Sequence, residues 1–304
     1  MMKLTRDNYY TPEADRAYMS CSQYQDFLTC EAATMAKMHG LYVPKETEAL
    51  LVGNYVHTAL ESDEAHEEWI NDHLDAVYKL KTDKKTGETT ITGKNAPFAR
   101  ADEIIQIFLT DETLKKFLLM DGENEKIMTG KLFGVKWKIR LDKYTTDRMI
   151  IDYKSCADLT KTEYNADTAE RECFLESYGY LMRAAVYSEI EKQYTGKTED
   201  APFVILAVTK QDPPDKGAYL LNHRQRYDYE LRKIEERIVR INAVKCGRAK
   251  ARRCGHCEWC RMTKRLNGVV PYYNIKPGFM AEREDEYDDI FATYMEAARS
   301  SGKL

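Results

Sequence analysis

Apolar residues recur at helical spacing through the first third of the chain. Apolar side chains three or four positions apart predict a helix in each of three ranges, 20–40, 46–74 and 101–119. Ser20 and Gln23 are spaced as a helix N-terminal cap, and Gly40 is a C-terminal stop signal. The polar stretch 81–97 between the later helices predicts an exposed loop or a weak hairpin.

Beyond residue 127 the period of the pattern shortens from that of a helix to that of a strand. Alternating residues predict three strands, over 127–133, 136–144 and 149–155. A helix over 170–193, strands at 202–210 and 218–222, and a helix over 224–244 complete the pattern. The last helix carries one apolar stripe, formed by Tyr227, Leu231, Ile234, Ile238 and Ile241. This order of elements predicts one α/β core with a mixed sheet flanked by helices.

The composition of the chain is that of a globular protein and argues against a membrane protein. The chain has 304 residues, 43% hydrophobic and 32% charged, and its mean hydropathy is -0.61. The apolar run 203–208 is too short to span a bilayer, and residues 1–20 lack the apolar stretch of a signal peptide. We therefore expect a cytoplasmic protein with no membrane partner. The net charge of -4 argues against a wholly basic surface for nucleic acid but leaves room for a local basic patch.

The strands 136–144 and 149–155 sort their side chains onto two faces. Asp142 shares a face with Lys138 and Arg140, and Asp152 shares a face with Lys154. A three-residue loop at 146–148 would place position 142 opposite position 152. In that register we expect the apolar residues of both strands on one side, namely Trp137, Ile139, Leu141, Met149, Ile151 and Tyr153. The polar residues that then meet are Asp142, Asp152 and Lys154.

Two carboxylates held this close repel each other unless a cation lies between them. Mg²⁺ and Mn²⁺ prefer oxygen ligands of this kind. Lys154 would then lie beside the reacting water or phosphate, where its charge suits phosphodiester hydrolysis. The alternative interpretation is a hairpin whose Asp and Lys side chains are simply solvated, and the matched position of Asp142 favours the metal site.

Three segments resemble the ordered motifs of the PD-(D/E)XK nuclease superfamily: Gly53-Asn54-Tyr55-Val56-His57, Leu141-Asp142 and Ile151-Asp152-Tyr153-Lys154. The histidine on a preceding helix is similar to the RecB-like branch, and the pattern resembles phage-type exonucleases related to exodeoxyribonuclease VIII. The resemblance covers about residues 20–265. It implies a restriction-endonuclease-like core and a metal-dependent DNA nuclease, an exonuclease of phage or prophage recombination or repair. The implied partners are DNA and a single-strand annealing recombination protein, and ring-forming relatives leave oligomerisation open.

The same resemblance assigns roles to residues. It implies that His57, Asp142 and Asp152 hold Mg²⁺ or Mn²⁺ and that Lys154 assists catalysis. The branch also carries a Gln-x-x-x-Tyr signature, whose tyrosine matches Tyr187 as a further catalytic candidate. Arg183 stands where glutamine is expected, and we expect it to contact a DNA phosphate. This departure favours the alternative function, a non-catalytic DNA-binding module that keeps the nuclease fold and the cysteine metal site.

Eight cysteines in a chain without an export signal are not expected to form disulfides. Cys254, Cys257 and Cys260, each separated by two residues, match iron-sulfur ligation better than a zinc knuckle. RecB-like nucleases with a cluster take their remaining cysteine from the N-terminal helix, so the resemblance implies Cys30 as fourth ligand of a [4Fe-4S] cluster. The alternatives are zinc, with Cys246 or His256 as fourth ligand, and a reduced loop without metal.

Basic residues surround this cysteine segment: Lys245, Arg248, Lys250, Arg252, Arg253, Arg261, Lys264 and Arg265. Such a patch would give salt-sensitive, sequence-independent DNA affinity, and the candidate DNA contacts are Arg252, Arg253 and Arg261.

We expect one nuclease domain over residues 1–266, with a helical part at 1–120, the catalytic core at 127–222, and a helix and cysteine loop at 224–266. Residues 267–304 would be a C-terminal extension. Its acidic run, 282–289, predicts the start of a helix with a solvated face.

Overall fold

The computed structural model describes residues 2–166, 169–266 and 269. The chain divides into two units, Met1–Cys260 and Arg261–Leu304, and the fold described below is that of the first unit. The predicted acidic helix at 282–289 lies outside the described residues.

Six short helices form the beginning of the chain. They are α1 (Pro12–Ala17), α2 (Cys21–Thr29), α3 (Glu31–Met38), α4 (Glu48–Glu61), α5 (Asp63–Asp72) and α6 (Leu74–Val77). The predictions of one helix over 20–40 and one over 46–74 are therefore each wrong about continuity. The breaks fall at Cys30 and Ser62, whose backbones are extended (φ -161° and -167°). Ser62 caps the following helix by accepting from the N–H of Ala65, which explains the second break.

A hairpin separates this part from two more helices. Strands β1 (Tyr78–Thr82) and β2 (Thr89–Lys94) pair antiparallel, so of the two alternatives predicted for 81–97, a loop or a weak hairpin, the structure has the hairpin, which begins three residues earlier. Helices α7 (Ala96–Thr110) and α8 (Glu112–Leu118) follow. They are split at Asp111, whose carboxylate accepts from the N–H groups of Thr113 and Leu114.

The rest of the unit alternates strands and helices. The strands are β3 (Gly122–Leu132), β4 (Val135–Thr145), β5 (Ile150–Cys156), β6 (Thr162–Asn165), β7 (Glu170–Cys173), β8 (Phe203–Thr209) and β9 (Lys216–Leu221). The helices are α9 (Phe174–Ser177), α10 (Tyr180–Thr195), α11 (Arg224–Lys245) and α12 (Glu258–Met262), the last of which crosses the boundary between the two units. The helix predicted over 170–193 is wrong at its start, because residues 170–173 pair with β6 as a strand.

Five strands form the central sheet in the order β3-β4-β5-β8-β9. Strands β5 and β8 are parallel and the other neighbours are antiparallel, so the predicted mixed sheet flanked by helices is confirmed. One apolar cluster contains residues of α10 and α11, and a second contains residues of α4 and α7. The predicted stripe on α11 is buried at all five positions.

The register of β4 against β5 agrees with the prediction, but the facial assignment of the apolar residues is wrong. Lys143 pairs with Ile151 and Tyr144 with Ile150, which is the register that sets position 142 against 152. Trp137, Ile139 and Leu141 lie in the α10–α11 cluster, whereas Ile151 and Tyr153 lie in the α4–α7 cluster. The reason is that β5 is buried on both faces, so alternation along it does not identify a single core side.

Candidate active site

The Lys154 ammonium lies near the carboxylates of both Asp142 on β4 and Asp152 on β5. The Lys154 ammonium lies 3.8 Å from Asp142 Oδ2 and forms a close ion pair with Asp152 Oδ2. The main-chain N–H of Tyr153 also donates to Asp142 Oδ2 at 2.9 Å, so this carboxylate bridges the two strands. The structure therefore brings together the three polar residues that the predicted register placed near each other.

His57 joins the group from α4. Its Nδ1 lies 3.4 Å from Asp142 Oδ2. Burial lowers the pKa of His57, and the opposing effect of the Asp142 carboxylate does not reverse this. The imidazole is consequently neutral at neutral pH, which is the form that binds metal ions. Gly53 lies one turn earlier on α4. No residue from another part of the structure lies within 4 Å of the position that a side chain would take there, so the helix surface beside His57 is open.

The charges of this group suit a divalent cation. Burial by itself would raise the pKa of Asp142, but His57, Lys154 and the Tyr153 N–H together outweigh burial. The pKa of Asp142 is therefore lower than usual, and the carboxylate is ionised at neutral pH. Asp152 Oδ2 is buried and accepts no hydrogen bond of normal geometry from the described residues, although the Lys154 ammonium lies next to it. Two carboxylates and a neutral imidazole form a donor set that fits Mg²⁺ or Mn²⁺.

Helix α10 contributes the two further residues that the sequence singles out. Arg183 Nη1 lies 3.5 Å from Asp152 Oδ1, so the arginine borders the carboxylate group. Tyr187 is buried and donates from its hydroxyl to the main-chain oxygen of Arg140 at 3.2 Å. Burial raises the pKa of Tyr187 well above its usual value. The contact of Tyr187 is therefore with the backbone of β4, while Arg183 contacts the candidate metal-binding carboxylate.

A cleft of about 720 Å³ opens over these residues. Its walls come from the N-terminal segment, α4, β4 and α10, and they include Tyr10, His57, Asp142, Lys154 and Arg183. The volume lies within the range of ligand clefts in proteins. Charged side chains, among them Lys138, Arg140 and Asp142, line part of the cleft, which suits a charged ligand.

The sequence interpretation missed two features of this cleft. The Arg140 side chain pairs with the buried Glu125 at 2.5 Å, and its guanidinium lies 4.6 Å from the ring of Tyr10, a residue that is 67% exposed. Burial raises the pKa of Glu125 to about 7, against the opposing charge of Arg140. Strand alternation placed Arg140 on the face of Asp142, but it gave no sign of the contacts with Glu125 and Tyr10. Tyr10 stands in a stretch without periodicity and gave no signal.

Four sulfurs meet on another part of the unit. Cys30 lies between α2 and α3, and three cysteines from the segment after α11 surround it. We call Cys30, Cys254, Cys257 and Cys260 the four-cysteine group, and their sulfurs all lie within 4.8 Å of one another. These four residues could hold a metal. The alternative fourth ligands lie outside this group: Cys246 is exposed and contacts Asn242, and His256 Nδ1 lies 3.0 Å from the Cys254 carbonyl oxygen.

The basic patch is smaller than the sequence predicts. Lys245 does not belong to it, because its ammonium is largely buried and donates to the Tyr18 carbonyl (2.5 Å) and to Gln23 Oε1 (2.6 Å). Arg252 and Arg253 are exposed. Arg261 is also exposed and belongs to the second unit. The prediction that these three arginines contact DNA remains a prediction.

Comparison with known proteins identifies the family. The family model described as a PDDEXK-like domain of unknown function (DUF3799) matches residues 20–263. The chain belongs to this PDDEXK-like family. The assignment to the PD-(D/E)XK nuclease superfamily and the restriction-endonuclease-like fold are thereby confirmed.

One solved structure agrees with the family assignment of the PDDEXK-like protein. A crystal structure of a candidate exonuclease from Eubacterium rectale is 33% identical, with a TM-score of 0.81, and the match covers 91% of this chain and 100% of that chain. A second solved structure, SSO0001, is 14% identical over 71% of this chain and 85% of that chain, and its TM-score of 0.26 supports no argument. Among curated proteins no significant match to the PDDEXK-like protein was found. None of the helices in the described part of the chain combines the length and the hydropathy of a transmembrane span.

Proposed function

We propose that this PDDEXK-like protein is a divalent-metal-dependent deoxyribonuclease that hydrolyses phosphodiester bonds. One observation carries the proposal: His57, Asp142 and Lys154 converge from a helix and two strands at one cleft, and Asp152 contacts Lys154 beside it. The family and its exonuclease-like neighbour support the same class of activity.

The proposed roles follow from the charges and contacts of the side chains. His57, Asp142 and Asp152 would hold Mg²⁺ or Mn²⁺, which when bound supplies Lewis acidity toward a phosphoryl oxygen. Lys154 is held by Asp152 and by the Tyr153 carbonyl oxygen (2.8 Å), which keeps its ammonium beside the carboxylates. A positive charge fixed there stabilises the negative charge that develops on the phosphate as the bond to water forms.

Arg183 would supply a second positive charge for the substrate. Its guanidinium already lies 3.5 Å from Asp152 Oδ1, so a phosphate bound next to the carboxylates would be within reach of the same side chain. Arginine recognises phosphate oxygens through two parallel hydrogen bonds. Tyr187, whose hydroxyl is bonded to the β4 backbone, would act by fixing α10 and hence Arg183.

We propose an exonuclease that serves phage or prophage recombination or repair beside a single-strand annealing protein. The resemblance of the motifs to that branch and the description of the Eubacterium rectale neighbour support it.

Digestion of three forms of one plasmid tests the proposal. Linear DNA with free ends, linear DNA with both ends blocked by hairpins, and closed circular DNA are incubated with protein and Mg²⁺, Mn²⁺ or EDTA. We expect loss of the free-ended DNA with either metal, intact circular and blocked DNA, and no digestion in EDTA. Cleavage of all three forms would support an endonuclease instead.

A non-catalytic DNA-binding module is the second candidate. The presence of Arg183 in place of the glutamine of the branch favours it. Salt-dependent binding of the linear DNA without digestion under any metal condition would select this function over the first.

A further inference from the structure

The distances within the four-cysteine group carry information about what it binds. Cys30 Sγ lies 3.6 Å from Cys260 Sγ, and Cys254 Sγ lies 3.9 Å from Cys260 Sγ. All four sulfurs fall within 4.8 Å of one another. They enclose a single small space.

One tetrahedral metal ion fits this space. Zinc binds four thiolates at a Zn–S distance of about 2.3 Å, and tetrahedral geometry then separates the sulfurs by about 3.8 Å. The separations of Cys30 and Cys254 from Cys260, 3.6 and 3.9 Å, lie on either side of that value, and no pair is more than 4.8 Å apart. The sulfurs therefore already stand at ligand positions for one ion.

A four-iron cluster needs a wider site. Each cysteine binds a different iron, and the Fe–S bonds to the protein point outward from the corners of the core. The cysteine sulfurs must consequently lie farther apart than four ligands that share one ion. The spacing of two residues between cysteines in the sequence suits either case, but sulfurs 3.6 Å apart do not surround a core of four irons.

Contacts next to the sulfurs hold this narrow geometry. The Glu31 carboxylate accepts two hydrogen bonds from the Arg240 guanidinium, both 2.8 Å long, and one from the main-chain N–H of Arg252 at 2.6 Å. The N–H of Ala32 donates to the Arg252 carbonyl oxygen at 3.0 Å. These bonds hold the residues beside Cys30 close to the residues before Cys254.

Main-chain hydrogen bonds also prepare the sulfurs as ligands. The N–H of Cys257 lies 3.3 Å from Cys254 Sγ, and the N–H of Cys260 lies 3.4 Å from Cys257 Sγ. Donors aimed at sulfur favour its charged form, the thiolate, which is the form that binds metal.

We infer that the four-cysteine group holds one tetrahedral Zn²⁺ ion and not a [4Fe-4S] cluster. The ion joins the break between α2 and α3 to the segment after α11, two parts of the unit more than two hundred residues apart in sequence. It is structural, since all four coordination positions are taken by protein sulfurs. This inference does not depend on the proposed nuclease activity.

Metal analysis of the full-length protein tests the inference. The protein is produced in medium supplemented with both iron and zinc, purified without oxygen or chelator, and examined by mass spectrometry for metals and by absorption spectroscopy. We expect about one zinc per chain and a colourless sample. About four irons per chain, acid-labile sulfide and a brown sample would overturn the inference, as would protein that carries neither metal.

Two serine variants separate the group from the remaining thiols. Cys257→Ser should lose most of the zinc, whereas the matched control Cys246→Ser, which changes an exposed cysteine outside the group, should keep it. If Cys257→Ser is insoluble, cobalt substitution in the unaltered protein gives the same information. A visible spectrum of tetrahedral Co²⁺ with thiolate ligands is expected, and its absence would contradict the assignment.

Discussion

His57 Nδ1 lies 3.4 Å from Asp142 Oδ2, although the histidine is on α4 and the aspartate is on β4. The buried side of α4, including Val52, Tyr55 and Val56, packs in the α4–α7 cluster together with Ile151 and Tyr153 of β5. The same packing that buries the helix therefore delivers its histidine to the carboxylates. In this way the hydrophobic core of the domain positions the candidate metal ligands.

Replacing Arg183 by glutamine restores the signature of the RecB-like branch and removes one positive charge from the cleft. If Arg183 contacts a DNA phosphate, Arg183→Gln should weaken DNA binding and reduce the slope of log affinity against log salt by about one. Binding is measured by fluorescence anisotropy at several salt concentrations. Arg232→Gln, on the exposed side of α11, is the matched control and should leave the slope unchanged. Equal slopes for the two variants would show that Arg183 does not contact phosphate.

A buried ion pair links the β4–β5 turn to α10. Arg148 donates from Nε and Nη2 to the two carboxylate oxygens of Glu191 at 2.9 and 2.8 Å, and the Glu191 side chain is fully buried. Arg148→Ala would leave that charge with the Tyr144 hydroxyl as its remaining neutral donor. We expect the free energy of unfolding to fall by about 3 kcal/mol, measured by urea denaturation.

A second substitution distinguishes the cost of an unpaired buried charge on Glu191 from the cost of lost packing by Arg148. In the double variant Arg148→Ala/Glu191→Gln the buried group is neutral, so part of the lost stability should return. A double variant less stable than Arg148→Ala would contradict the explanation.

Lys245 makes the stability of the protein depend on pH in the alkaline range. Burial, reinforced by the charge of Lys138 and opposed by Asp15, lowers the pKa of Lys245 from 10.5 to about 8. Between these values the unfolded chain binds more protons than the native protein, so this residue makes the free energy of unfolding rise with pH. Between pH 8 and a pH above 10.5, the free energy of unfolding of the unaltered protein should rise by at most about 3 kcal/mol relative to that of Lys245→Met.

Guanidinium denaturation of both proteins at pH 7.5, 9 and 10.5 measures this difference, and the comparison cancels titrations that the two proteins share. A difference in unfolding free energy that stays constant across this range would show that the lysine is not buried as described.

Several parts of the site could be predicted from sequence because they depend on local geometry. The register of β4 and β5 follows from a short loop, and it alone brings Asp142 near Asp152 and Lys154. The amphipathic stripe of α11 was equally predictable, because one face of that helix is buried and the others are charged.

Other features of the fold and the site could not be predicted, because they depend on contacts between residues far apart in the sequence. Residues of β5 are buried on both faces, so their pattern does not reveal which core each side chain joins. Lys245 looks like a surface residue in sequence, but its ammonium finds two oxygen acceptors from the segment around α2. The break at Cys30 carries no Gly or Pro signal, and the meeting of Cys30 with the three distant cysteines is visible only in the folded chain.

The most direct test of the central claim compares cleavage and binding in one set of proteins. Unaltered protein, Asp152→Ala and Lys154→Ala are assayed on free-ended linear DNA with Mg²⁺ or Mn²⁺, and their DNA affinities are measured with Ca²⁺ in place of these metals. Lys161→Ala, an exposed lysine paired with Glu163 outside the cleft, is the control. We expect both site variants to bind DNA but to cleave it at least about 100-fold more slowly, while Lys161→Ala cleaves normally. Site variants that cleave DNA as fast as the unaltered protein would contradict the claim that these residues form the active site.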